Sequence, residues 1–264
     1  MSQSGERARR RSERAATDAA EFIPTVETSR AALHDLVALW PDSKVVRVPY
    51  MDDSWVRAGS IWVQAEHAVR TAQAILLLDD NKMFIQCGPL ARQVLECGTT
   101  AAWMVKTPFS GQAVFADAKK KHQRVMLALA QMTGQPVPEQ DYADEWDSYY
   151  KQAKDMEQRA RVVDDGVWIY PYFRLLSGFS HGDGSLVQTY LETLEEPHVH
   201  GHQFQFRDPE QFPYREAVLA LTVVMVHIAM LAWDHVSEDH ALREPLRPLA
   251  KKHGLRVDPF TKGD

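Results

Sequence analysis

The chain has 264 residues, 45% of them hydrophobic and 25% charged, which excludes a mostly disordered chain, a collagen-like repeat and a small disulfide scaffold. Lysine and arginine total 30 against 36 aspartates and glutamates, and the net charge of −6 disfavours a globally basic nucleic-acid binder. Cys87 and Cys97 lie ten residues apart, about 15 Å along one helix, which is too far for a disulfide and indicates reduced thiols in a cytoplasmic protein.

The chain begins with an arginine-rich segment. We expect residues 1–20 to form a flexible leader, residues 21–254 a single helical domain and residues 255–264 a tail. Because proline suits the first turn of a helix but interrupts its interior, the first helix is predicted from near Pro24 to Pro41.

The next two predicted helices have the clearest periodicity. The first begins at Asp52 or Asp53, either of which can cap it. The second begins at Met83 or Pro89 and ends at Lys106. Its apolar residues recur at alternating steps of four and three, the spacing of one buried helical face, at Leu90, Val94, Cys97, Ala101 and Met104.

Five more helical segments complete the prediction, at about 114–132, 142–162, 167–191, 213–236 and 238–253. The segment 167–191 is one helix or two, because glycines interrupt it at Gly182 and Gly184. The segment 213–236 contains the apolar run Val218–Trp233, whose 16 residues are fewer than the roughly 20 that span a membrane. We therefore interpret it as the central helix of a soluble bundle, with no membrane partner.

Residues 195–211 differ from the rest of the chain because polar and apolar residues alternate there, as in a strand or hairpin. The predicted class is thus all-α, a multi-helix up-and-down bundle with a small β-hairpin-like insertion near 198–207.

This insertion also contains the only candidate metal ligands that we identify, His198, His200 and His202, which share one face of a strand. Imidazoles bind Zn, Cu or Ni, but one short tract rarely encloses a metal without further support. We therefore interpret the three histidines as an exposed loop that binds metal weakly, and we expect no metal or other cofactor.

The strongest functional pattern lies in residues 172–182. Arg174 and His181 are seven residues apart, so on a helix they project from nearly the same face, with Ser177 between them and Ser180 adjacent. A permanent cation, a hydroxyl and a group that titrates near neutrality suit an anion or a phosphodiester. Alternatively, Arg174 and His181 are structural residues that bond to neighbouring helices and fix the register of the bundle.

Arg92 and Glu96 form a second pattern, four residues apart on a helix. They can pair with each other, or reach Arg174 and His181 if the two helices pack together. If Glu96 is buried, it must be paired. An exposed Arg174 and His181 would favour ligand binding, whereas a buried pair capped by Glu96 would favour the structural role.

The motif Tyr-x-Arg-Leu-Leu-Ser-x-x-Ser-His-Gly at 172–182, with Arg92-Gln-Val-Leu-Glu96 upstream, resembles a widespread family of uncharacterised bacterial helical-bundle proteins over residues 50–235. More distantly, an arginine followed by a histidine on a late helix resembles the HEPN superfamily (higher eukaryotes and prokaryotes nucleotide-binding). Many HEPN proteins are metal-independent ribonucleases in toxin, CRISPR and phage-defence systems. HEPN motifs usually place a polar residue after the arginine, where this chain has Leu175.

This resemblance implies that Arg174 stabilises a scissile phosphate and that His181 acts as an acid or base or positions a 2′-hydroxyl. We therefore expect a cytoplasmic, HEPN-like protein that binds or cleaves RNA or another phosphate-bearing ligand, in a bacterial defence or toxin context. If it is an enzyme, it is a metal-independent ribonuclease. The alternative is a non-catalytic helical scaffold that binds a protein partner or forms a homodimer.

Overall fold

The computed structural model describes residues 24–42, 54–134, 147–164, 168–181, 184–193, 204–256 and 260. Within these ranges the chain forms ten α-helices, which contain more than half of all 264 residues, and one two-stranded antiparallel sheet. The predicted all-α multi-helix class is therefore confirmed. The elements are α1 (Val26–Leu39), α2 (Ser54–Asp80), α3 (Phe84–Lys106), α4 (Ser110–Thr133), α5 (Asp147–Lys154), α6 (Met156–Asp164), α7 (Ile169–Ser180), α8 (Gly184–Tyr190), β1 (Leu191–Thr193), β2 (Phe204–Phe206), a 3-10 turn (Pro209–Gln211), α9 (Arg215–Val236) and α10 (Arg243–His253).

Helix α3 lies at the centre of the bundle, where it packs against α2 and α9 on its apolar side and against α6 and α7 elsewhere. Val94 and Ala101 of its heptad-like stripe are fully buried. Gly98 allows α9 to approach closely, because a Cβ atom at this position would lie only 2.6 Å from the Met225 carbonyl oxygen. Pro89 lies inside α3, so of the two predicted starts the one near Met83 is correct.

Helix α9 contains the long apolar run of the sequence. In the described part of the chain it is the one helix long and apolar enough to cross a membrane, and 72% of its 18-residue apolar window is buried inside the protein. It packs against α1, α2 and α3. Its apolar residues are therefore accounted for by the core.

Three boundaries differ from the sequence prediction. The segment 142–162 contains two helices, because the Asp155 carboxylate accepts hydrogen bonds from the backbone N–H groups of Glu157 (2.9 Å) and Gln158 (3.3 Å) and so begins α6. The last helix begins at Arg243 and not near 238. The structural reason is that the buried Asp234 carboxylate accepts a hydrogen bond from the Leu242 N–H (3.0 Å) and holds a turn before α10.

The third difference concerns the strands. β2 lies within the predicted insertion near 198–207, but it pairs with β1, where the sequence predicted the end of a helix. The register pairs Leu191 with Phe206 and Thr193 with Phe204. The predicted leader, residues 1–20, lies outside the described residues. The buried core cluster runs from Ala32 to Leu255, so packing continues past residue 254, where the tail was predicted to begin.

Candidate functional site

Arg174 lies on the outer side of helix α7, and His181 follows the last residue of the helix, Ser180. The inner side of α7 buries Ile169, Leu176 and Phe179 against the core. At about 100° per residue, Arg174 lies on nearly the opposite side of the helix from Leu176. The sequence therefore turns this arginine away from the core by its spacing alone.

Arg174 and His181 are both exposed, seven residues apart, which corresponds to about 10.5 Å along the helix axis. His181 is the C-terminal cap of α7 and has an extended backbone (φ −111°, ψ 141°). Among the described residues, neither side chain has a hydrogen-bond or ion-pair partner. The two groups are thus available to an external ligand.

The two serines of the motif bond to their own helix. The Ser177 hydroxyl donates to the Phe173 carbonyl (2.7 Å), and the Ser180 hydroxyl donates to the Leu176 carbonyl (3.3 Å). Each hydroxyl therefore stabilises α7 locally, since it bonds one turn back. Neither has a described contact with Arg174 or His181, so the expected hydroxyl of the site is already engaged.

Arg92 and Glu96 pair with each other, with 3.0 Å between Arg92 Nη2 and Glu96 Oε1. This is the first of the two alternatives that the sequence left open; the reach of Glu96 to Arg174 or His181 is not found among the described contacts. The Arg92 guanidinium lies 4.8 Å from the ring centre of Phe173, the residue before Arg174. Arg92 thereby connects α3 to α7 by a cation–π contact.

Arg159 of α6 joins this cluster, and the sequence analysis missed it. Its guanidinium donates to the Thr100 hydroxyl, which in turn donates to the Glu96 carbonyl oxygen (2.6 Å). Burial lowers the pKa of Arg159, while the nearby carboxylates of Glu96 and Asp117 act in the opposite direction. A guanidinium stays charged in a protein, so this is a buried cation. The available signal was its position three residues after the buried Met156, on the apolar side of its helix.

Arg92, Glu96 and Arg159 define what we call the arginine cluster, between α3, α6 and α7. Arg92 pairs with Glu96, whereas the Arg159 guanidinium lies near the carboxylates of Glu96, Asp117 and Asp155. The Nε atoms of Arg92 and Arg159 are buried and have no hydrogen-bond partner within the described part of the chain. Buried N–H donors without partners are costly, and an anionic oxygen would satisfy them.

Other chemistries have less support. No group of three or more metal-ligating side chains occurs in the residues that the structure describes, and His198, His200 and His202 lie outside them. Burial raises the pKa of both Cys87 and Cys97 to about 12, so neither thiol is an activated nucleophile. The site is therefore cationic, and its titratable group is an imidazole.

Fold and site together define an all-α bundle with one exposed arginine on α7 and two partly buried arginines, Arg92 and Arg159, on α3 and α6. Residues 65–198 match a family described as "Family of unknown function (DUF5677)", and the chain belongs to this family. The match agrees with the resemblance to uncharacterised helical proteins. No curated protein and no solved structure matches the chain.

Proposed function

We propose that this protein binds RNA, with Arg174 and His181 contacting the phosphate backbone. The observation that carries this proposal is the exposure of both motif residues, Arg174 on α7 and His181 at its C-terminal cap, with Arg174 next in sequence to Phe173, which Arg92 contacts. Arginine recognises phosphate oxygens in a forked geometry, and phosphate contacts provide most of the affinity for nucleic acids.

Aromatic residues on α7 favour RNA over a small phosphate ester. Tyr172 is partly exposed and contacts Trp168 edge-on, with 6.4 Å between ring centres, and Tyr170 stacks with Phe173 at 6.0 Å. Single-stranded RNA presents unstacked bases that bind to aromatic faces beside a cationic track. A helix with both kinds of side chain suits such a segment.

The HEPN-like part of the proposal is cleavage. Arg174 would stabilise the charge that develops on the phosphate, and His181 would transfer a proton to or from the 2′-hydroxyl or the leaving oxygen. This chemistry uses side chains alone and needs no cofactor. It also fits the proposed role in bacterial defence or in a toxin system.

Binding is tested by fluorescence anisotropy with labelled single-stranded RNA at several salt concentrations. We expect Arg174→Ala to weaken binding to all sequences and to lower the slope of log K against log salt by about one. The matched control is Arg247→Ala, which removes the same charge from an exposed site on α10. Equal effects of the two substitutions would contradict the proposal.

Cleavage is tested by incubating labelled RNA with the wild-type protein and with His181→Ala. We expect the variant to lose cleavage with an unchanged melting temperature, because an exposed imidazole contributes little to packing. Wild-type protein that binds RNA without cleaving it would remove the catalytic part of the proposal and leave the binding part.

A second candidate is a non-catalytic scaffold in which these residues are structural. It is favoured by one contact, that of Arg92 with Phe173, which joins α3 to α7. In this case Arg92→Ala lowers the free energy of unfolding by roughly 1–2 kcal/mol, mainly through the lost cation–π contact with Phe173, since Glu96 is 37% exposed and water can solvate it. If the motif is structural, Arg174→Ala lowers the melting temperature and leaves RNA binding unchanged.

A further inference from the structure

Helix α4 packs against α2 and α5, and its second half is largely exposed. Its first turns are held in place, because Gly111 packs against the backbone of Arg57 and both Ala113 and Asp117 are buried. From residue 118 to residue 134, however, almost every side chain is exposed. Such a long exposed helix is unusual unless a further surface covers it.

One exposed face of α4 has the pattern of a coiled-coil seam. Its residues recur at steps of three and four throughout, which places them at successive a and d positions of a heptad. Val125 is 56% exposed and Met132 is 83% exposed, the largest exposure among the apolar side chains reported. We call this face the α4 seam, and it consists of Phe115, Ala118, His122, Val125, Leu129 and Met132.

The α4 seam lies opposite the side of the helix that faces the protein. At 100° per residue, Val125 lies about 160° around the helix from the partly buried Gln123, and Leu129 lies about 180° from the partly buried Lys120. The seam is therefore free to meet another helix without displacing any described part of the core.

We propose that the α4 seam binds a second copy of this chain, with the two α4 helices antiparallel. In an antiparallel pair, a positions face d positions of the partner helix. A two-fold axis between His122 and Val125 puts Phe115 against the partner's Met132, and Ala118 against the partner's Leu129. In this register each of the six seam residues faces a seam residue of the partner helix.

Side-chain sizes and charges support this register. The largest aliphatic side chain of the seam's second half, Leu129, faces the smallest residue, Ala118, and a methionine sulfur faces a phenyl ring, a favourable contact. The basic run Lys119–Arg124 would lie opposite residues 123–128 of the partner. A parallel pair would instead place the two basic runs side by side, where like charges repel.

The interface is small but preorganised. Phe115 to Met132 spans 18 residues, or about 27 Å of helix. The surface area that one helix face of this length buries is smaller than the roughly 800 Å² per partner of a standard interface. Because α4 is already folded and anchored, pairing requires little conformational ordering. The dimer should therefore dissociate on dilution, and His122, a polar residue in the seam, should favour a single register.

Sedimentation velocity of the full chain over a range of concentrations tests the proposal. We expect a monomer–dimer equilibrium whose dissociation constant rises more than tenfold in Leu129→Glu, since each copy then places a carboxylate in the seam. The matched control is Leu77→Glu, at an exposed site on α2, which should change the constant by less than twofold. A monomer at the highest attainable concentration, or equal effects of the two substitutions, would overturn the proposal.

Cross-linking tests the orientation. We mix His122→Cys and Val125→Cys proteins that can be distinguished by mass. We expect the disulfide between the two variants to form faster than the disulfide between two copies of either variant. The native Cys87 and Cys97 are buried and should not interfere. Faster cross-linking of each variant with itself would mean a parallel pair and would overturn the antiparallel register.

Discussion

Asp79 ties three helices together, and its replacement gives the sharpest test of how the bundle is held. Its side chain, at the end of α2, is 1% exposed. Arg215 of α9 donates to both carboxylate oxygens, at 2.7 Å from Nε and 2.9 Å from Nη2, and Arg30 of α1 donates as well. Asp79→Asn keeps the shape of the side chain and removes its charge.

The expected loss of unfolding free energy follows from the exposure of the partners. Breaking a fully buried ion pair costs about 3–5 kcal/mol, because the remaining charge is left without a partner. Here Arg30 and Arg215 are 26% and 31% exposed, so water can solvate them in part. Arg215 also remains 3.9 Å from the Phe84 ring centre. We therefore expect a loss of about 2–3 kcal/mol in urea denaturation at neutral pH.

The pH dependence of this loss has a definite sign. Burial raises the pKa of Asp79, but the hydrogen bonds from Arg215 and Arg30 outweigh it, so the net pKa lies below the usual 3.8. The carboxylate then stabilises the fold fully above about pH 3.8, and this contribution disappears as the pH falls through the lower pKa of the folded state. The difference between wild type and variant should shrink over the same acid range.

Asp80→Asn is the matched control, since Asp80 is 51% exposed and its one ion-pair partner among the described residues is Arg30. An exposed pair contributes less than about 1 kcal/mol. A loss in Asp79→Asn below about 0.5 kcal/mol, or a loss that stays constant into strong acid, would refute the assigned role of this carboxylate.

Three further predictions concern the core. Burial raises the pKa of the thiols of Cys87 and Cys97 to about 12, so both should resist a thiol reagent in the folded protein and react on unfolding, as absorbance would show. Burial lowers the pKa of His227 below 6.5, so the stability of the wild-type protein should fall as the pH drops below 6.5. Urea midpoints measured against pH should fall less steeply for His227→Gln. Gly98→Ala should lower the free energy of unfolding by about 1–3 kcal/mol, because the new Cβ meets the α9 backbone. Gly59→Ala has open space around it and should raise the free energy of unfolding by about 0.5–1 kcal/mol in the same denaturation assay.

The fold class was predictable because helical periodicity is a local property of the sequence. Val94 and Ala101 are buried as their spacing indicates. The partners of Asp79 were not predictable in this way, since Arg30 and Arg215 lie 49 and 136 residues away. Their meeting depends on how α1, α2 and α9 cross.

The same distinction between local spacing and long-range packing applies to the candidate site. The spacing of the apolar residues of α7 explains why Arg174 is exposed, but it did not predict that the helix ends at Ser180, before His181. The partner of Glu96 depends on the packing of α3 against α7. There Arg92 lies over Phe173 and keeps Glu96 for itself. Arg159 lies in a polar segment of the sequence, and it is partly buried because α6 packs against α3.

Different sides of helix α3 contribute to the stability of this protein and to its candidate site. One side of α3 meets α9 through Gly98, while Arg92 and Glu96 lie on another side, next to α6 and α7. Residues 65–198, the segment that matches the family, contain the site and the α4 seam but not α9. An isolated segment would therefore expose the apolar side of α3, and the RNA-binding and dimerisation tests require the full chain. In the full chain the side chains of Arg174 and Leu129 are exposed, so substitutions there leave the α3–α9 contact intact. A lost activity can then be assigned to the substituted surface and not to unfolding.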